Sequence, residues 1–130
     1  DFVADDPFWY APTESVSSVS IAASTTTFSI VNTGTAKTPP RIEFQAVSNS
    51  RQHLKLTNTT IGLFIESSST VASGTLLTFD HDAYTVTLGT SNAIGDFSGS
   101  FFLLEPGTNN FEYTGPSSLS ARVYWTPRYA

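Results

Sequence analysis

Apolar and polar positions in this chain alternate with a period of two residues rather than 3.6. Phe28 and Ile30 share one side of a run from Thr25 to Asn32, and Ile42, Phe44 and Ala46 repeat the pattern in the next run. Leu54 and Leu56 follow, then Ile61, Leu63 and Ile65, then Leu76 and Thr78, then Tyr84, Val86 and Leu88. Phe111 with Tyr113, and Leu119, Ala121, Val123 and Trp125, complete the series. Turn-forming clusters separate these runs: Asn32-Thr33-Gly34, Ala72-Ser73-Gly74, Asp80-His81-Asp82, Pro106-Gly107 and Gly115-Pro116. No stretch carries a helical pattern of useful length. Short alternating runs with frequent turns predict an all-β fold, an antiparallel two-sheet β-sandwich of about nine or ten strands. Its core is expected to hold Phe28, Ile30, Ile42, Phe44, Leu63, Val86, Phe102, Phe111, Val123 and Trp125.

The pattern also sets the expected boundaries. Residues 1–12 are rich in acidic, aromatic and Pro residues and alternate poorly, so they read as a lead-in from a preceding domain. Residues 13–130 read as the single sandwich domain. The Gly/Ser/Asn-rich stretch Ser91 to Ser100 reads as a loop with a short turn around Ile94 to Phe97. The rings of Phe8, Trp9 and Tyr10 are too apolar to stay wet, and they are expected to meet Trp125, Pro127, Arg128 and Tyr129 at one end of the sandwich.

Composition narrows the function. The 130 residues suit one domain. The chain has no Cys, which excludes disulfides and thiolate metal sites. It has no Met, and Asp1 is read as a cut point in a longer protein. The formal net charge is −5 and Lys37 and Lys55 are the only lysines, which leaves no basic face for nucleic acid. No apolar run approaches the ~18 residues of a helical membrane span. Charged residues make up 13% of the chain, against about 25% in an ordinary soluble domain. A surface so poor in charge is either a Ser/Thr-rich one that water wets well or one that meets other proteins.

Candidate chemistry is thin. Asp80-His81-Asp82 has metal-ligating residue types but reads more simply as a polar hairpin connection, so no metal and no other cofactor is expected. Glu43, Glu66, Glu105 and Glu112 could supply a glycosidase pair, but nothing in the sequence sets two of them across a cleft. His53 and His81 lack a Gly-x-Ser-x-Gly partner, so no catalytic residue is assigned and the chain is not expected to be an enzyme. A sugar or protein contact would need an exposed aromatic beside polar groups. Tyr84 with His53, Arg51 and Asn58 is the candidate set, with Tyr124 and Trp125 as further aromatics and Trp125 assigned to the core.

Three stretches carry a family resemblance: Phe2 to Tyr10 with its Asp-Pro-aromatic core at Pro7 and Trp9, Phe101 to Phe111 with Pro106, Gly107 and Asn109, and Val123 to Tyr129 with Trp125, Pro127 and Arg128. With the Asn32-Thr33-Gly34 turn and Pro39-Pro40, their order resembles the C-terminal domain of siphophage distal tail proteins. The family often has a longer turn where this chain has the compact Asp80-His81-Asp82. The resemblance implies a galectin-like (jelly-roll-like) sandwich in a structural component of the phage tail tip. It further implies a hub protein whose N-terminal part forms a ring, commonly a hexamer, between the tail tube and the tip. The C-terminal domain would project outward and dock receptor-binding or other tip proteins. The protein would be made in the host bacterial cytoplasm and end in the virion. A carbohydrate-binding module that attaches to host surface glycans is the alternative function.

Overall fold

The computed structural model describes residues 9–10, 14–47 and 52–129. Thirteen strands follow one another along them: β1 (Trp9–Tyr10), β2 (Ser15–Ile21), β3 (Thr25–Asn32), β4 (Arg41–Ala46), β5 (Leu54–Asn58), β6 (Leu63–Ser67), β7 (Leu76–Asp80), β8 (Thr85–Leu88), β9 (Ser91–Asn92), β10 (Phe97–Gly99), β11 (Gly107–Thr114), β12 (Leu119–Trp125) and β13 (Arg128–Tyr129). A six-stranded sheet in the order β2-β12-β4-β7-β8-β9 packs on a five-stranded sheet in the order β10-β6-β5-β11-β3. Every pairing between these strands is antiparallel. Thirteen strands exceed the nine or ten expected, and nine of them have four residues or more. The additional four, β1, β9, β10 and β13, have two or three residues each, too few to show an alternation.

The period-two faces become the two inner surfaces. Ile42, Phe44 and Ala46 of β4, Leu54 and Leu56 of β5, Phe111 and Tyr113 of β11, and Leu119, Ala121, Val123 and Trp125 of β12 are all buried. Burying a side chain of this size contributes about 1.5–3 kcal/mol, so these faces fix the register of both sheets.

Four positions depart from the expected faces. In β7 the run Leu76-Leu77-Thr78-Phe79 offers apolar residues at both parities, and the larger pair, Leu77 and Phe79, goes inside while Leu76 is 37% exposed. Tyr84 does not belong to β8. It sits in the turn before it with φ +57 and is 69% exposed. Leu63 has the inward parity of Ile65, but it pairs with Asn58 at the very end of the sheet, where nothing covers it, and it is 38% exposed. Phe28 points inward from an edge strand and is only half-buried.

The quoted motifs meet at one end. Asn32 Oδ1 accepts the Gly34 N–H at 3.0 Å, and the Arg128 carbonyl accepts the N–H groups of Thr35 and Ala36. A Cβ on Gly34 would collide with that carbonyl, so only glycine fits. Asn109 is buried and staples the Pro-Gly turn. Its Oδ1 accepts the Glu105 N–H at 2.9 Å, and its Nδ2 donates to the carbonyls of Glu105 and Gly107. Gly107 has φ +88, as the turn requires. Pro127 separates β12 from β13, and the two chain ends do meet: Trp9 pairs with Tyr129 and Tyr10 with Arg128. Pro7 lies outside the described residues.

Candidate functional site

The end that carries the β1–β13 ribbon also gathers the loop after β3, the β5–β6 and β7–β8 turns, and the loop before β11. Bridges from Ala36 to Arg128 and from Thr38 to Leu104 tie them together, as does the His81 N–H to the Pro40 carbonyl. Between them lies a groove of about 340 Å³ lined by Ile61, Leu63, Tyr84, Phe101, Phe102 and Leu103, with His81 beneath. Lys37 Nζ and Glu105 Oε2, 3.4 Å apart, form a polar rim.

The local chain explains this arrangement. Asp80 Oδ1 accepts the N–H groups of Asp82 and Ala83, so Asp80 works as a turn cap. That turn forces Tyr84 into left-handed backbone, which is unusual for a bulky residue. Its ring stands edge-on to Phe101 at 5.7 Å, and Phe101 stacks on Phe97 at 4.6 Å. His81 is buried against Phe102 and Phe101, and its Nδ1 accepts the Phe102 N–H at 2.9 Å. With Nδ1 accepting, hydrogen bonding assigns the ring proton to Nε2. Burial lowers the His81 pKa from 6.5 to about 4, against the raising effect of the Asp80 charge.

The described members of the expected contact set, Tyr84, His53 and Asn58, lie apart. Tyr84 stands in the groove, whereas Asn58 is buried and its Oδ1 accepts the Thr60 N–H at 3.1 Å. His53 precedes β5, so it lies about 17 Å along the strand from Asn58. Arg51 lies outside the described residues. Of the other aromatics, Trp125 is core, and Tyr124 lies on the outer face of the six-stranded sheet beneath the Arg41 guanidinium, 4.2 Å from the ring centre. Arg41 also approaches Glu14 and Glu43.

The four glutamates are spread apart. Glu43 lies on the outer face of the six-stranded sheet, Glu66 and Glu112 on that of the five-stranded sheet, and Glu105 on the groove rim. Among the described residues no cluster of three or more His, Cys, Asp or Glu could hold a metal ion.

Of the groove residues, sequence reasoning singled out Tyr84 but not Phe101, Leu103 or Lys37. A signal was present in Phe101-Phe102-Leu103-Leu104. Four apolar residues in extended chain cannot all face one core, and Phe102 and Leu104 are buried while Leu103 is 39% exposed.

The chain is thus an all-β sandwich with an aromatic-lined groove at one end. The family model described as siphovirus-type tail component, C-terminal domain, matches residues 33–129, and the chain belongs to that family. It is thus a phage tail component and part of the virion. The fold is shared with the crystal structure of the SPP1 Dit (gp 19.1) protein of phage SPP1, titled a paradigm of the hub adsorption apparatus in phages that infect Gram-positive hosts. The two agree with a TM-score of 0.72 at 21% identity over 97% of this chain and 50% of that one. The chain therefore spans half the length of that protein. No curated protein matches it.

Proposed function

We propose that this chain is the peripheral domain of a distal tail hub, with residues 1–12 leading in from a ring-forming N-terminal part and residues 13–130 forming the sandwich. The ring is a hexamer between the tail tube and the tip, assembled in the host bacterial cytoplasm. The domain's role is structural and not enzymatic: it docks receptor-binding or other tip proteins. The observation that carries this reading is Tyr84, held exposed on left-handed backbone over an apolar groove in a charge-poor surface. Exposed aromatic and aliphatic groups in a pocket are the usual anchors of protein interfaces.

Titration of the domain with purified tip proteins of the same phage tests this. Tyr84→Ser and Leu103→Glu are expected to weaken binding by roughly tenfold or more without lowering the melting temperature. Full binding by both variants would remove the groove from the docking role. Binding of host glycans instead, lost in the same variants, would favour the carbohydrate reading.

A further inference from the structure

The two sides of the sandwich finish differently. On one side the sheets end in β9, of two residues, and β10, of three. β10 closes at Gly99, whose backbone is so near the Phe64 carbonyl that a Cβ would collide with it. On the other side they end in β2, of seven residues, and β3, of eight.

An outermost strand presents a row of main-chain N–H and C=O groups without neighbours. Soluble proteins blunt such edges with shortness, Pro, charge or a bulge. Neither β2 nor β3 contains Pro, Gly, Lys, Arg, Asp or Glu. β3 pairs with β11 without a break from Thr25 to Asn32, so no bulge turns it away. Its composition, Thr-Thr-Thr-Phe-Ser-Ile-Val-Asn, strongly favours strand pairing.

β3 also leaves apolar surface uncovered. Phe28 stacks on Phe111 with ring centres 5.2 Å apart yet stays half-buried, and Val31 is 55% exposed. β2 turns Ser15 and Ser17 toward the interior and has no ring of this kind to cover.

We propose that β3 is a self-association edge. β3 of a second copy pairs with it antiparallel and joins the two five-stranded sheets into one of ten strands. Charge decides where two copies can meet. Two copies that each carry −5 repel, and a two-fold axis sets like residues near one another. Like charges on facing strands oppose pairing, whereas Thr, Ser and β-branched residues favour it. β3 is uncharged throughout, so identical acidic chains meet there without charge against like charge, and a charged partner strand finds no counter-charge. This surface runs along the side of the sandwich and is separate from the groove at its end.

Sedimentation of the 130-residue chain across the micromolar range tests the proposal. A dimer that dissociates on dilution is expected. Replacing the exposed Thr27 and Val31 by Lys should weaken it by roughly tenfold or more while the melting temperature holds. The chain has no Cys, so single-Cys variants give a clean cross-linking readout. Among Thr27→Cys, Ser29→Cys and Val31→Cys at least one should form a disulfide-linked dimer on mild oxidation, and Ser18→Cys on β2 should not. A monomer at every concentration would overturn the proposal. So would a dimer indifferent to the two lysines, cross-linking through Ser18 in place of β3, or a hexamer from this chain alone.

Discussion

Folding hides the His81 imidazole from protons, with a pKa of about 4 against 6.5 in the unfolded chain. Between those values the unfolded chain binds a proton that the folded one refuses, so stability falls as pH drops from about 6.5 to 4. The gap corresponds to about 3 kcal/mol over that window. Below it both states are protonated and this residue adds nothing more. Melting temperatures of the native chain and His81→Asn, measured between these two pH values, should therefore diverge in slope, with the variant flatter. Parallel slopes would show that His81 is not the titrating group. Two further residues are expected to be intolerant of change. Gly34→Ala drives a methyl group into the Arg128 carbonyl and should cost about 1–3 kcal/mol. Phe111→Ala removes a ring that is 1% exposed and should cost about 3–5 kcal/mol. Denaturant midpoints measure both.

At the scale of elements, β1 and β13 form a two-stranded ribbon that is no part of either sheet. A ribbon that small is marginal by itself, and the Arg128 carbonyl ties it to Thr35 and Ala36 in the loop after β3. Deleting residues 1–10 should lower the melting temperature by several degrees and expose the C-terminal residues to protease. An unchanged melt would reduce the segment to a tether. The longer strands were legible in the sequence because one inner face and one wet face impose a strict alternation, as in β4, β5, β11 and β12. β7 was misread by one residue because apolar side chains stand at both of its parities. The groove was legible only in part. Tyr84 could be picked out as an aromatic near a turn, but its setting depends on the local Asp80 cap and on the buried His81, whose bond to Phe102 joins segments 21 residues apart. Leu63 and Phe28 carried the right parity, but alternation does not tell where a sheet ends.

At the scale of the whole molecule, stability rests on two apposed faces and on turns capped by their own side chains. The Asp80 carboxylate is already committed to the backbone of its turn. Melting curves recorded with a chelator and with added Ca²⁺ or Zn²⁺ should superimpose, and a rise of several degrees with either ion would reveal a site. Ties between and beyond the strands span most of the chain: Thr38 Oγ1 donates to the Thr126 carbonyl across 88 residues of sequence, and Ser29 Oγ on β3 to Asn110 on β11 across 81. Loop closures of that length must precede the contacts that reward them, and folds dominated by them are slow to form, in milliseconds to seconds. The seal around the Arg128 carbonyl therefore forms only after residues near the end of the sequence have been synthesised. Until then the growing chain holds alternating, uncharged segments such as β3 with no partner. On the ribosome, such a nascent chain would be a substrate for holding chaperones.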